Sequence, residues 1–386
     1  MRSVRDIPAL SGIPVFVRAA LNVPIENGAV ADDYRLRKAL PTITFLAERG
    51  ARVILASHLG EAGTETLEPV SRALARFVPR IAFCPETIGP RAREAVRALA
   101  PGDVLVLENL RRSAGEVGND PAFAGELASL ADVFVEDSFD TCHRLHASIV
   151  TLPKLLPAYA GLLLEEEVAA LTEALRPSHP SLAVIGGAKF STKERVLDTL
   201  LGVYDRVFVG GALANDFFKA KGYSIGASLV SEADPAKFAA LMENPRLALP
   251  EDVRVVAGEA LGAIDACQRA RVARPEDVHA DEVIVDAGPA TSALLASFAS
   301  DATSILWNGP LGRYETGFID ATDALARAVA ASGARSTLGG GDTVASIESL
   351  GLLPRFSFVS TGGGAMLDFL AYGSLPGITA LESGGL

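Results

Sequence analysis

The chain has 386 residues, of which 49% are hydrophobic and 21% charged, so it can bury two or three domain cores and is not intrinsically disordered. Its 47 acidic residues outnumber its 35 basic residues, and the net charge of -12 gives no general attraction for nucleic acid or anionic membranes. No apolar window approaches the roughly 18 residues of a membrane span, and the N-terminal sequence lacks a signal-peptide core. We therefore expect a cytoplasmic protein with neither a nucleic-acid nor a membrane partner.

Short runs of aliphatic and β-branched residues predict buried strands along the whole chain. They lie at residues 14–18, 52–56, 104–107, 133–135, 182–185, 206–209, 253–256, 304–306 and 356–359. Stretches with helical spacing lie between them, at residues 34–49, 122–130, 194–201 and 321–331. This alternation predicts an α/β fold built on parallel sheets. The Pro- and Leu-rich segment 152–157, followed by a helix predicted at 162–175, marks the domain boundary.

Side chains that bind anions follow the predicted strands of the first half. They are Asn22, Arg35, His58, Arg111 and Arg144. Arginine forks match the geometry of carboxylates and phosphates, so this set predicts a pocket for a small polyanion. Each arginine taken alone has the ordinary alternative of a surface ion pair.

Glycine clusters follow four predicted strands of the second half. They are Gly186-Gly187-Ala188-Lys189, Gly210-Gly211-Ala212, Gly339-Gly340-Gly341-Asp342-Thr343 and Gly362-Gly363-Gly364-Ala365. One such pair indicates only tight strand-to-helix packing, but four in one lobe favour a polyphosphate site at helix N-termini. The sequence contains neither a GxxxxGK[ST] loop nor a GxGxxG fingerprint, so a P-loop and a conventional dinucleotide site are excluded.

Two lysines and two carboxylates in these loops have alternative interpretations. Ser191 and Glu194 fit a capping box, which predicts a helix from Thr192 with Lys193 in its first turn and Lys189 just before it. Cations are disfavoured at that end unless an anion binds there; the alternative is a pair of solvated lysines. Asp342 is either a helix N-cap or a magnesium ligand, and Glu315 is either a partner of ribose hydroxyls or an ordinary exposed side chain.

Taken in chain order, these segments resemble the phosphoglycerate kinase family. The matching motifs are LNVP (21–24), DDYRLRKALPTI (32–43), SHLG (57–60), LENLR (107–111), HRLHAS (143–148), YAG (159–161), GGAK (186–189), WNGP (307–310), GGGDT (339–343), STGGGA (360–365) and LPGITAL (375–381). The resemblance implies two doubly wound parallel-sheet lobes joined by a hinge helix. Residues 1–155 with 370–386 would form the acid-substrate lobe, 156–175 the hinge region and 176–369 the nucleotide-binding lobe.

The resemblance also implies a reaction and its participants. The enzyme would be a monomer that closes to transfer a phosphoryl group reversibly between MgATP and the carboxylate of 3-phosphoglycerate, with ATP or ADP as substrate. A carboxylate is already ionised at neutral pH, so the nucleophile needs no general base and catalysis rests on positioning and charge neutralisation.

The family pattern assigns roles to residues of this sequence. The catalytic set would be Arg35, Lys189, Lys193, Gly363 and Gly364. The acid would contact Ala20, Leu21, Asn22, Arg35, His58, Leu59, Gly60, Glu61, Arg111 and Arg144. The nucleotide would contact Gly187, Lys193, Asn308, Pro310, Glu315, Gly340, Gly341, Asp342 and Thr343, and Asp342 would organise magnesium.

The acid side departs from the family pattern. Ala20 replaces an aspartate, Glu61 replaces a substrate-facing arginine, Asp140 and Cys142 replace small residues, and Thr192 replaces another aspartate. Losing one hydrogen bond to a charged group costs about 1.5–3 kcal/mol, and Glu61 repels an anion. Two alternatives therefore remain open: a related kinase for a different carboxylate, and a nucleotide-binding regulatory protein with little turnover.

Overall fold

The computed structural model describes residues 1–188 and 190–383, and the chain forms two compact units. The first consists of Met1–Ala169 and Ser374–Leu386, and the second of Ala170–Gly373. Lys189, a predicted catalytic residue, lies outside the described residues. No helix among the described residues is long and apolar enough to cross a membrane.

The first unit is an alternation of strands and helices. Its strands are β1 (Pro14–Ala19), β2 (Ile25–Glu26), β3 (Ala29–Val30), β4 (Arg52–Ala56), β5 (Ile81–Cys84), β6 (Val104–Leu107), β7 (Val133–Asp137) and β8 (Ala158–Ala160). Its helices are α1 (Tyr34–Glu48), α2 (Glu68–Leu74), α3 (Pro90–Arg97), α4 (Ala114–Val117) and α5 (Pro121–Ala128), and α6 (Leu162–Ala174) contains the boundary between the two units. Short turns of 3-10 or π helix occupy Val4–Asp6, Leu110–Arg112, Phe139–Thr141, Ala147–Thr151 and Leu152–Lys154.

Six of these strands form one parallel sheet, in the order β5-β6-β4-β1-β7-β8. Strands β1, β6 and β7 are buried along their whole length, which explains their nearly continuous apolar sequences. The chain starts in the middle of the sheet and builds outward on both sides of β1. Ligands bind beyond the carboxyl ends of the strands where the order reverses, so the loops after β1, β4 and β7 mark the expected site.

The second unit has its own set of strands and helices. Its strands are β9 (Ser181–Ile185), β10 (Arg206–Val209), β11 (Leu247–Ala248), β12 (Val253–Ala257), β13 (Arg271–Ala273), β14 (Glu282–Ala287), β15 (Ser304–Asn308), β16 (Arg335–Gly339) and β17 (Phe358–Val359). Its helices are α7 (Glu194–Val203), α8 (Leu213–Ala220), α9 (Pro235–Met242), α10 (Ala266–Arg269), α11 (Pro289–Asp301), α12 (Asp320–Ser332), α13 (Gly341–Ser349) and α14 (Gly364–Tyr372). The last helix, α15 (Pro376–Ser383), belongs to the first unit, and 3-10 turns occupy Phe190–Thr192, Gly258–Ala260, Pro275–Asp277, Tyr314–Thr316 and Leu353–Arg355.

A second six-stranded parallel sheet runs in the order β11-β10-β9-β15-β16-β17, which confirms the doubly wound α/β class. Its order reverses between β9 and β15, so the loops after these two strands meet at the expected ligand crevice. The predicted strand at 253–256 is present as β12, but it pairs antiparallel with β13 and β14 in a separate three-stranded sheet. Apolar periodicity does not distinguish these partners, because it reports burial and not pairing direction.

Candidate substrate sites on the two units

Arg18 organises the crevice of the first unit from a fully buried position at the end of β1. Its guanidinium group donates to the hydroxyl oxygens of Ser148 and Ser138, at 3.2 and 3.3 Å, and to the carbonyl of Ala19 at 3.0 Å. Its fourth contact joins Nη2 to Nδ1 of His58 at 3.1 Å. A buried cation needs such a set of acceptors, so this arginine fixes three strand-end loops in place.

The histidines of this crevice are held in their neutral form. Burial, reinforced by the guanidinium of Arg18, lowers the pKa of His58 well below its ordinary value. Burial and the nearby Arg111 lower the pKa of His146 to about 4. At neutral pH the positive charge of the site therefore belongs to its arginines, and the imidazoles serve as hydrogen-bonding groups.

Asn22 and Arg35 are brought together by backbone contacts. The Arg35 guanidinium donates to the carbonyl of Asn22 at 2.7 Å, and the Asn22 amide oxygen accepts from the backbone N–H of Gly60 at 3.1 Å. Three predicted acid-site residues thus meet, although they come from two different loops and from the first turn of α1. The Arg35 side chain keeps 30% of its surface exposed and lies 3.8 Å from an Asp140 oxygen.

Arg111 lies on the same side of the crevice and is almost completely covered. Its Nη1 donates to the Gly60 carbonyl at 2.8 Å and to a Glu61 carboxylate oxygen at 3.0 Å. The Arg111 side chain is 5% exposed, whereas that of Glu61 is 84% exposed. Arg144 lies in the exposed loop after the Phe139–Thr141 turn, where its backbone N–H donates to the Thr141 carbonyl.

The remaining predicted acid-site residues form the floor of the loops. Ala20, Leu21 and Leu59 are buried, and the backbone N–H of Leu21 donates to the Ser57 hydroxyl at 3.2 Å. Because Ala20 is completely buried and apolar, it offers an acid hydroxyl no hydrogen bond.

In the second unit, the loops after β9 and β15 lie in backbone contact. The backbone N–H of Gly186 donates to the Asn308 carbonyl at 2.8 Å, and that of Gly187 donates to the Pro310 carbonyl at 3.0 Å. A side chain at Gly186 would collide with the carbonyls of Gly309 and Pro310. These glycines therefore allow two strand-end loops to touch, and the Gly187 amide is used within the protein.

Lys193 lies at the N-terminus of α7 and is 8% exposed. The predicted capping box is wrong: a 3-10 turn occupies Phe190–Thr192, Lys193 is the N-cap residue, and none of the described side chains caps the helix. Burial lowers the pKa of the Lys193 ammonium to about 8. A buried lysine at the positive end of a helix is disfavoured twice, which points to an anionic ligand at this position.

The loop after β16 enters α13 through Gly340, which has a φ of +96° that glycine adopts readily. Gly341 and Asp342 are exposed in the first turn of the helix. Thr343 is completely buried, and its hydroxyl oxygen has no hydrogen-bond partner within the described part of the chain. The alternative of Asp342 as N-cap is excluded, because the N-cap is Gly340.

The loop after β17 enters α14 in the same way. Gly363 is the N-cap with a φ of +49°, and Gly364 is the first helical residue and is exposed. Asn308, at the end of β15, is buried and its side-chain amide donates to the Met366 sulfur at 3.5 Å. Two open helix N-termini thus follow neighbouring strands of one sheet.

A cavity of about 470 Å³ opens beside these loops. Four predicted nucleotide residues, Gly187, Pro310, Glu315 and Asp342, line it. Lys193, Asn308 and Thr343 are buried and lie outside its lining. The volume falls within the usual range for small-molecule sites.

Sequence reasoning missed polar residues that line this cavity, among them Asn215 and Asp286. Asn215 is 1% exposed and its side-chain oxygen has no partner among the described residues. Burial raises the pKa of Asp286 to about 7, while its carboxylate accepts from the backbone N–H groups of Ala287 and Ala321. Asn215 in α8 and Asp286 in β14 each follow apolar residues in the sequence. A polar side chain at the end of an apolar run was the sequence signal that could have identified them.

The described residues contain no group of three or more histidine, cysteine, aspartate or glutamate side chains that could enclose a metal ion. Asp342 offers one exposed carboxylate at a helix N-terminus. Magnesium commonly binds through one or two carboxylates plus substrate phosphates, and Asp342 fits this mode better than a closed protein cage.

Comparison with known proteins agrees with this geometry. The family model described as "Phosphoglycerate kinase" matches residues 4–372. The phosphoglycerate kinase of Rubrobacter xylanophilus is 44% identical over 390 residues, covering 98% of each chain, and that of Roseiflexus sp. is 42% identical over 397 residues, covering 99% of each.

Solved structures are similar over the same length. The phosphoglycerate kinase from Coxiella burnetii has a TM-score of 0.84 and 40% identity, covering 98% of each chain. That from Pyrococcus horikoshii has a TM-score of 0.87 and 29% identity, covering 100% of this chain and 99% of the other. With two parallel sheets, each with a candidate anion site where its strand order reverses, and with this similarity over nearly all of its length, the chain belongs to the phosphoglycerate kinase family.

Proposed function

We propose that the first unit binds 3-phosphoglycerate, that the second binds MgATP or MgADP, and that the phosphoryl group passes reversibly between ATP and the acid's carboxylate. The observation that carries this assignment is that different side chains follow the strands of the two sheets at the points where each strand order reverses. The crevice of the first unit is lined by arginines, whereas that of the second is built from glycine loops at helix N-termini beside a cavity of about 470 Å³. Arginine forks suit a small rigid acid, and glycine loops suit a polyphosphate.

The charge states support a reaction without a general base. His58 and His146 are neutral at pH 7 because their pKa values are lowered, which also makes them weak bases. This agrees with the reaction, because a carboxylate nucleophile has no proton to lose and needs no base. Catalysis then depends on bringing the reactants into line and on neutralising the charge of the transferring group.

On the acid side, we assign charge stabilisation of the transferring group to Arg35, which is partly exposed at the crevice. Arg111 and Arg144 would hold the acid's phosphate, and Asn22 would orient the carbon chain. His58 would contribute a neutral hydrogen bond, with Arg18 fixing its ring.

On the nucleotide side, we assign the transferring phosphoryl group to Lys193 and to the helix N-terminus at Gly363 and Gly364. Lys189 keeps this role as a sequence prediction only. Gly340, Gly341 and Thr343 would bind the remaining phosphates, Glu315 would bind the ribose, and Asn308 and Pro310 would shape the loop.

Asp342 would hold magnesium together with phosphate oxygens of the nucleotide. The ion would neutralise phosphate charge and align the nucleotide. Its carboxylate is exposed and lies in the lining of the cavity, so it can reach a ligand there.

The domain assignment is part of this proposal. We assign residues 1–155 with 370–386 to the acid lobe, 176–369 to the nucleotide lobe and 156–175 to the hinge about which the lobes would close; the compact units divide close to these bounds, after Ala169 and after Gly373. Closure would exclude water, which otherwise hydrolyses the acyl phosphate product. We further propose a cytoplasmic monomer without a nucleic-acid partner; the three free cysteines are typical of a reducing compartment, and a net charge of -12 disfavours nucleic acid.

Steady-state ATP consumption with 3-phosphoglycerate tests the assignment. We expect saturable turnover that requires magnesium and is lost in Arg35→Met. The double variant Ala20→Asp, Glu61→Arg restores the family residues and should lower the KM for the acid. ATP binding without turnover in the wild type, but with turnover in the double variant, would assign the natural substrate to another carboxylate.

A further inference from the structure

We propose that Glu61 and Asp140 are internal counter-ions of Arg111 and Arg35 in the empty acid site: Glu61 must be displaced when the acid binds, whereas Asp140 stays beside its arginine. They are specificity-determining residues that weaken ground-state binding of a multiply charged acid. This inference rests on the proposed function, and it names a property of this chain at two positions that depart from the family pattern.

In the first pair, the exposed Glu61 side chain lies over the buried guanidinium group of Arg111. The Glu61 carboxylate lies 3.0 Å from Arg111 Nη1 and is itself 84% exposed, while the Arg111 side chain is 5% exposed. An incoming phosphate therefore meets Glu61 before it reaches the guanidinium group. Because Glu61 is solvated and carried by a surface loop, it can move away at modest cost.

The second pair is held more firmly. Asp140 Oδ1 accepts from the Ser138 hydroxyl at 2.6 Å, and Oδ2 lies 3.8 Å from Arg35 Nη1. The Asp140 side chain is 7% exposed, so it stays beside Arg35 when a ligand arrives. This carboxylate offsets part of the charge of Arg35 in the free and the bound protein.

Two nearby arginines, Arg112 and Arg18, do not replace the positive charge that Glu61 and Asp140 neutralise. Arg112 donates to Glu108 at 2.9 Å and to the Thr64 carbonyl at 3.2 Å. The Arg18 guanidinium already has acceptors in Ser138, Ser148 and Ala19 and contacts His58. Both cations are held by the protein's own groups, so the counter-ions reduce the net attraction for the acid.

The two counter-ions should have different effects on binding of the acid and on the rate of phosphoryl transfer. Glu61 competes with the substrate for Arg111 and so raises KM, and it returns to the arginine as the product leaves; Asp140 raises KM by reducing the net charge at Arg35. Glu61 should affect the rate of phosphoryl transfer little, because Arg111 is assigned to the acid's phosphate and not to the transferring group. Asp140 should also lower that rate, because it stays beside Arg35, which is assigned to the transferring group. The effect on binding should concern the acid alone and leave the nucleotide unaffected.

The test uses the full-length protein and the variants Glu61→Gln and Asp140→Asn, which remove charge but keep a hydrogen-bonding side chain. Glu126→Gln is the matched control, because it neutralises a carboxylate paired with Arg93 at 2.8 Å on α5. We expect each variant at the acid site to lower the KM for 3-phosphoglycerate by about three- to tenfold and to leave the KM for ATP unchanged. In Glu61→Gln, kcat should change less than twofold, whereas in Asp140→Asn it should rise by about twofold or more, because Arg35 regains its full charge. The control should leave all three constants as in the wild type.

Calorimetric titration with 3-phosphoglycerate alone gives a second readout that does not need turnover. Tighter binding by Glu61→Gln and Asp140→Asn than by the wild type supports the proposal, whereas equal or weaker binding by both folded variants overturns it. A wild-type protein that binds ATP but neither binds nor converts 3-phosphoglycerate would refute the proposed function itself. That outcome is distinct, because it appears before any variant is compared.

Discussion

The ammonium group of Lys193 lies against the α-carbon of Gly187: a Cβ built at Gly187 would stand 2.6 Å from Lys193 Nζ. The Lys193 ammonium group thus occupies the space that a side chain at residue 187 would fill. Gly187 also has a φ of +85°, which an L-residue adopts only with strain. Gly187→Ala should therefore displace Lys193 and lower kcat/KM for ATP by at least tenfold, as measured by steady-state kinetics.

Gly202→Ala is the matched control for this substitution. Gly202 lies within α7, and a Cβ there meets no atom within 4 Å. Alanine in a helix interior stabilises it by about 0.5–1 kcal/mol relative to glycine, so activity should be retained. If Gly187→Ala were as active as Gly202→Ala, the lysine would not depend on this space.

The lowered pKa of Lys193, about 8, predicts how nucleotide use depends on pH. The charged ammonium is present below this value and is lost as pH rises through it, so kcat/KM for ATP should fall above about pH 8. That ratio reports the ionisation of the free enzyme. Asp286, with a pKa raised to about 7, also lines the nucleotide cavity and titrates on the acidic side of this limb.

Lys193→Arg separates the two groups, because a guanidinium stays charged through this range. We expect the variant to lose the alkaline limb while keeping any change near pH 7. Lys219→Met, which removes an exposed lysine on α8, should keep the wild-type profile. An alkaline limb that survives in Lys193→Arg would assign the ionisation to a different group.

Arg18 is predicted to stabilise the first unit. Arg18→Met removes a buried donor to Ser138, Ser148 and Ala19. Ser138 keeps a hydrogen bond from Thr141 and Ala19 keeps one from Ser57, so Ser148 is the acceptor most affected. An unsatisfied buried group costs about 1–3 kcal/mol, so the variant should lose roughly 1–3 kcal/mol of unfolding free energy. Urea unfolding followed by circular dichroism measures this loss; the exposed Arg91→Met should stay within about 0.5 kcal/mol of the wild type.

The strands were predictable from sequence because most of them are buried along their length. The run at 52–56 matches β4 at both ends, and that at 206–209 matches β10. The antiparallel pairing of β12 was not predictable, since its partners at 271–273 and 282–287 are set by tertiary packing. Local patterns carry burial but not the direction of the neighbouring strand.

Motif residues were easier to find than the groups that surround them. The glycine loops have a sequence signature, and the structure brings Gly187 and Pro310 to one cavity. The contact between Glu61 and Arg111 has no sequence signature, because the two residues are 50 positions apart. The capping box at Ser191 failed because a 3-10 turn ends at Thr192 and delays the helix.

Asp137, at the end of β7, connects the first sheet to helix α6 and predicts a pH-dependent stability. Its Oδ1 accepts from the backbone N–H groups of Leu163 and Leu164, at 3.0 and 3.3 Å. Burial nevertheless raises the pKa of this carboxyl to about 8. The unfolded chain releases the proton near pH 4 and the folded chain near pH 8, so stability falls as pH rises through this window and levels off above it.

Asp137→Asn keeps an acceptor for the helix but cannot ionise. Relative to the wild type, we expect this variant to gain roughly 2 kcal/mol of unfolding free energy between pH 6 and pH 9, because the charged form is no longer buried. Asp137→Ala removes the acceptor and should lose about 1–2 kcal/mol at pH 6, where the wild-type group is protonated. Urea unfolding at the two pH values decides the matter: if the wild type and Asp137→Asn change in parallel, Asp137 is ionised throughout this range, and the helix is then capped by a buried carboxylate.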